Sequence, residues 1–166
     1  MERVQNQAMW QSFVVKRQEL ATRERARALD NLSTIDDDAL ERKWLFHGTD
    51  AWTLGKICAT GFNRSYAGRN ACMYGKGVYF ARDSGYSAHP RYAIPDAAGV
   101  QRMLLCRVLV GAHCKGRQDI LVPDERDAGG ILFDTTVDKI ADPEILVTYH
   151  DAQAYPEYQI SFRVKT

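Results

Sequence analysis

Residues 103–110, Met-Leu-Leu-Cys-Arg-Val-Leu-Val, are apolar on both faces apart from Arg107. A run of that kind fits a central strand covered on both sides, and it is too short and too interrupted to cross a membrane. The chain must therefore surround this strand with other strands and cover them. Residues 145–149 and 78–81 read as further strands. Tyr158, Ile160, Phe162 and Val164 alternate with Gln159, Ser161, Arg163 and Lys165, the pattern of a half-buried strand. Trp44, Leu45 and Phe46 form a short apolar strand leading into His47.

Helical signals come earlier. Residues 4–29 are rich in Gln, Glu, Arg and Ala, and Trp10, Phe13 and Val14 share a face. Asp30 and Asn31 end that pattern. Thr34 followed by Asp36, Asp37 and Asp38 reads as a capped turn, because carboxylates suit the positive end of a helix, and not as a metal site. Asp50 is placed to cap a helix through residue 59, with Leu54, Ile57 and Cys58 inward and Gly61 ending it. Residues 84–89 suggest a short helix stopped by Pro90. Residues 62–74 and 116–130 read as loops. Helices first and strands later indicate an α+β fold.

Length and charge narrow the function. The 166 residues fit one domain able to bury a core without staples. The 22 Lys and Arg against 21 Asp and Glu disfavour a broad nucleic-acid face. Nothing at the N-terminus has the apolar core of a signal peptide. Cys58, Cys72, Cys106 and Cys114 include no Cys-x-x-Cys pair, which disfavours a zinc site or disulfide framework and fits a reducing compartment, cytosol or nucleus.

Gly75-Lys76-Gly77 invites two nucleotide motifs and satisfies neither. A dinucleotide fingerprint needs glycine where Phe80 stands, and a P-loop needs Ser or Thr where Gly77 stands. Taken singly, His47 reads as a structural histidine, Tyr79 as a core aromatic, Ser87 as a helix-face serine and Tyr92 as a loop aromatic. Their combination carries more. Leu45-Phe46-His47-Gly48-Thr49, Gly75-Lys76-Gly77-Val78-Tyr79-Phe80-Ala81 and Tyr155-Pro156-Glu157-Tyr158 come in the order and spacing of the poly(ADP-ribose) polymerase catalytic domain, which this chain resembles from about residue 44 to 162. The resemblance is closest to the macrodomain-associated, mono-transferring branch. Gly-Phe-Asn-Arg-Ser at 61–65, Tyr-Ser-Ala at 86–88, Asp-Thr-Thr-Val at 134–137 and the stretch 151–158 all match that branch.

The resemblance implies an ADP-ribosyltransferase fold, with an N-terminal helical segment (1–43) and a core (44–166) of two packed, mainly antiparallel sheets around an NAD cleft. It implies NAD+ as co-substrate and no metal. His47 would bond the adenosine ribose, and Gly48 and Ser87 would grip the nicotinamide carboxamide, with Thr49 beside them. Tyr79 and Tyr92 would sandwich the nicotinamide ring. Arg64 is either a diphosphate contact or a solvated cation. Polymer-forming members carry a catalytic glutamate where this chain aligns Ile145. An apolar residue there implies transfer of one ADP-ribose unit to a protein acceptor that needs no base, such as Asp or Glu, the protein itself included. Glu144 and Ile145 fall on opposite faces of a strand, so only one can line the site. Spacing to Tyr149 and to residues 153–156 favours Ile145, and a slip of one residue would reverse the inference.

The 46 residues before His47 are too few for the helical autoinhibitory subdomain of DNA-activated members, so no DNA gating is expected. A monomer is expected, with no membrane association and no strong nucleic-acid binding. Two other functions fit the same donor half: a module that binds without efficient chemistry, and ADP-ribosylation of phosphorylated nucleic-acid ends, which the near-neutral charge disfavours.

Overall fold

The computed structural model describes residues 1–31, 40–66 and 72–164. In chain order its elements are β1 (Glu2–Arg3), α1 (Gln7–Asn31), β2 (Glu41–Thr49), α2 (Ala51–Thr60), β3 (Val78–Ala81), α3 (Ser84–Ala88), β4 (Gln101–Leu109), β5 (His113–Lys115), β6 (Thr135–Val137), β7 (Ile145–Thr148) and β8 (Ala154–Phe162). The strands form one sheet in the order β1-β8-β4-β2-β3-β7-β6-β5. All neighbours are antiparallel except β5 and β6. The α+β class stands.

The apolar run is the interior strand β4, as its composition requires. Leu104, Cys106, Val108 and Leu109 on it have no exposed surface. Arg107 survives on this strand because α1 covers it. Its guanidinium lies 4.9 Å from the Trp10 ring and 5.8 Å from that of Phe13, and it pairs with Glu41. A charge held by a carboxylate and aromatic faces costs far less than an unpaired buried one.

Two packed sheets were expected, and the hydrogen bonds instead join one. The expectation has a physical counterpart. β2 and β3 meet at a single register pair, Phe46 with Ala81, so the sheet divides there into two four-stranded halves. Leu45 and Leu104 from one half, Phe80, Val137 and Leu146 from the other, and Leu54 and Ile57 of α2 share one core. Beyond the seam β2 and β3 separate.

The N-terminal segment differs from a purely helical reading. Residues 2–3 pair with β8, Asn6 caps α1 through a bond from Met9 N to its Oδ1 (3.1 Å), and β2 already begins at Glu41. On α1, Phe13, Leu20 and Ala21 turn inward, while Val14 stays exposed. Trp44 does not start an apolar strand either. It sits in a bulge between Lys43 and Leu45 with φ of 67°, which turns Trp44 outward and Leu45 into the core. The acidic turn expected at 34–38 lies outside the described residues, as do 67–71 of the loop expected over the donor. No helix among the described residues is long and apolar enough to cross a membrane.

Candidate active site

Where the two halves of the sheet part, a cleft of about 600 Å³ opens between β2, β3, α2 and α3. That volume suits a small organic ligand. His47, Gly48, Thr49, Tyr79, Ser87 and Tyr92 all line it. They come from two different walls.

The strand wall carries His47 and Tyr79. The Nδ1 of His47 lies 2.8 Å from the carbonyl of Tyr79 across the seam. A carbonyl only accepts, so Nδ1 holds the proton and Nε2 is left as an acceptor in the neutral ring. Burial lowers the His47 pKa below its ordinary value and outweighs the opposing bond to Tyr79, which keeps the ring neutral. Phe62 and Phe80 pack around it at 5.2 and 5.6 Å between ring centres. The Tyr79 hydroxyl donates to the Gly75 carbonyl (2.8 Å) and accepts from Tyr74 N (3.0 Å). Burial pushes its pKa up to about 12. Tyr79 is therefore a fixed ring and no general base.

The helix wall carries Ser87 and Tyr92. The Asp83 carboxylate caps α3 by accepting from Gly85 N at 2.6 Å. Ser87 is buried, and its hydroxyl donates to the Phe46 carbonyl at 3.0 Å, so its oxygen retains acceptor capacity toward the cleft. Gly48 allows this approach. A Cβ there would stand 2.0 Å from the Ser87 carbonyl oxygen and 3.1 Å from Ala93 N. Gln101 holds the following loop by donating to the Ala88 (2.8 Å) and Ala93 (2.7 Å) carbonyls. Tyr92 stacks on Tyr86, with ring centres 4.9 Å apart and planes at 23°.

Two expected residues have other places. Arg64 does not reach the cleft. Its guanidinium donates to the carbonyls of Tyr149 (3.1 Å) and Leu121 (2.7 Å) and covers the Tyr149 ring, so it pins loops together. Ile145 is buried at the start of β7, opposite Ala81, which lines the cleft, but Ile145 is not itself among the lining residues. Its register is held by Asp138, whose Oδ1 accepts from both Glu144 N and Ile145 N at 3.0 Å. The Glu144 side chain turns to the surface, 3.0 Å from Lys139 and 3.8 Å from Arg82.

Among the described residues lining the cleft, Asp50 is the one carboxylate. It caps α2, accepting from Thr53 N (2.8 Å) and Thr53 Oγ1 (2.7 Å). Burial opposes its charged form, but these bonds prevail and hold its pKa below the usual value.

The model of the poly(ADP-ribose) polymerase catalytic domain matches residues 1–120, which include both walls. The chain belongs to this family. It is 38% identical over 165 residues to human protein mono-ADP-ribosyltransferase PARP14, covering 98% of this chain and 8% of that protein. It is 41% identical over 118 residues to mouse protein mono-ADP-ribosyltransferase PARP10, covering 70% of this chain and 12% of the relative. With human protein mono-ADP-ribosyltransferase PARP12 it shares 34% over 163 residues, 98% of this chain and 21% of the relative. The chain thus spans less than a quarter of each of these relatives.

Within this poly(ADP-ribose) polymerase domain, sequence reasoning missed several cleft residues. Lys56 sits 3.5 Å above the Trp52 ring on the α2 wall, with Tyr66 at 5.9 Å. The i,i+4 spacing of Trp52 and Lys56 was a usable signal for their contact. Tyr86 was legible only as part of a tripeptide.

Proposed function

We propose that this domain transfers one ADP-ribose unit from NAD+ to carboxylate side chains of proteins, itself included, and releases nicotinamide. One observation carries the single-unit reading: the cleft's one described carboxylate, Asp50, is engaged as a helix cap, while Glu144 is ion-paired at the surface. Among the described residues no carboxylate is then left to deprotonate an incoming sugar hydroxyl, and His47 Nε2 is assigned to the adenosine half. Positioned acid–base groups usually contribute about 10²–10⁴-fold, so chain extension becomes inefficient.

The supporting geometry concerns the donor. Neutral His47, with its proton on Nδ1, offers Nε2 to a hydroxyl of the adenosine ribose. The carboxamide of nicotinamide needs one acceptor and one donor. The Ser87 oxygen, its proton already given to Phe46, suits the amide N–H, and the Gly48 backbone suits the carbonyl. Tyr79 and Tyr92 flank the ring, where a cationic pyridinium gains from aromatic faces. Holding the donor in a reactive shape is the main contribution of such a site. The bond from ribose C1′ to the pyridinium nitrogen breaks, and its electron pair leaves with neutral nicotinamide. A carboxylate oxygen of the acceptor forms the new bond to C1′, and no proton need move. With Ile145 buried opposite Ala81 and Glu144 turned to the surface, no carboxylate from the start of β7 opposes that anion.

The test is incubation with NAD+ labelled in its adenylate. A sharp labelled protein band that stays sharp at high NAD+, together with free nicotinamide, is expected. His47→Ala should abolish labelling while leaving the circular dichroism spectrum unchanged. A ladder would overturn the single-unit reading. Absence of both label and nicotinamide release would leave only a binding role.

A further inference from the structure

The two tyrosines on the cleft are not held equally. Tyr79 has its hydroxyl fixed between Tyr74 N and the Gly75 carbonyl. Tyr92 has a fixed backbone, because Tyr92 N donates to the His89 carbonyl at 2.8 Å and Gln101 ties both ends of the loop. Its ring is fixed by side chains alone. His89 meets it edge-on at 6.2 Å, and Tyr86 lies parallel to it at 4.9 Å with the two hydroxyls 2.9 Å apart.

We propose that Tyr86 is a positioning residue: by stacking on Tyr92 and bonding its hydroxyl, it sets the plane of that ring for the nicotinamide half of the donor. The inference rests on the transferase reading above. It makes the aromatic clamp two rings deep on one side. An offset stack with a shared hydroxyl contact restrains both torsions of Tyr92, so the ring meets the donor already oriented. Burial and the Tyr92 hydroxyl both raise the Tyr86 pKa well above the ordinary tyrosine value, so neither the stack nor the bond is broken by ionisation at neutral pH. Tyr86 is 41% exposed, so it contributes little to the core and can be replaced without unfolding the domain.

The test compares two probes: 3-aminobenzamide, which mimics nicotinamide, and ADP-ribose, which lacks it. Tyr86→Ala should weaken 3-aminobenzamide binding roughly two- to tenfold, the worth of one aromatic stack, and leave ADP-ribose affinity unchanged. Tyr86→Phe keeps the stack and should restore most of the loss. Unchanged 3-aminobenzamide affinity in Tyr86→Ala overturns the role of Tyr86 alone, and so does an equal loss for both probes. A wild-type protein that binds neither probe overturns the transferase reading together with it.

Discussion

The strand wall of the cleft and its helix wall reach rigidity by different routes. On β2 and β3 the functional side chains bond to backbone: His47 to the Tyr79 carbonyl, and Tyr79 to residues 74 and 75. On the other wall, the five residues of α3 and the loop after it pack against the sheet without being strands of it. There Ser87 borrows the Phe46 carbonyl, and Tyr92 borrows Tyr86. A site half built on a sheet can fix its rings through main-chain bonds. A site half built on a short helix needs neighbouring side chains and one close backbone approach.

Three changes would break or sharpen that contrast. The largest effect is expected where the walls touch. In Gly48→Ala the added methyl overlaps the Ser87 carbonyl, so α3 must move away from β2. Overpacking of this kind costs about 1–3 kcal/mol, visible as a lowered Tm, and displacement of the site should reduce labelling about 100-fold. Normal activity would mean that the helix wall adapts freely.

The next effect separates the walls by pH. His47 has a pKa lowered below about 6.5. ADP-ribose binding should stay flat as pH falls to 6.5 and weaken only below it, as Nε2 gains a proton and stops accepting. Binding of 3-aminobenzamide, which uses Gly48, Ser87 and the tyrosines, should not follow. Linkage gives the matching stability term. The unfolded chain takes up its proton first, so stability contributed by neutral His47 is present above pH 6.5 and declines as pH falls toward the folded pKa. Parallel pH profiles for the two ligands would remove His47 from the adenosine half.

The smallest effect compares two hydroxyls. Tyr79→Phe leaves Tyr74 N without its partner and should destabilise the fold by about 1–2 kcal/mol. Tyr92→Phe loses only a bond at the exposed edge of the cleft and should cost about 0.5 kcal/mol or less. Equal losses in denaturant unfolding would show that both walls are pinned alike.

Most elements were legible because their patterns are local. Asp50 and Gly61 bracket α2, and a doubly apolar run could only be an interior strand. The short strand β6 was not, since Thr135 and Thr136 look polar yet are fully buried, their hydroxyls donating to the carbonyls of Val110 (2.8 Å) and Tyr74 (2.6 Å). β1 was hidden for the opposite reason: Glu2 and Arg3 are exposed and become a strand only by pairing with β8. Arg64 stayed open between two readings because a loop cation near a donor motif says nothing of the carbonyls that tertiary folding brings to it.

Residue order alone determined the family, the positions of the cleft-lining motif residues and the apolar identity of position 145. These depend on side-chain type and spacing, which the chain carries wherever it goes. Folding decided that Asp138 sets the register of β7, that Glu144 faces solvent and that Tyr86 backs Tyr92. Each of those depends on a partner distant along the chain or across a turn, and contact with such a partner exists only once the backbone has closed.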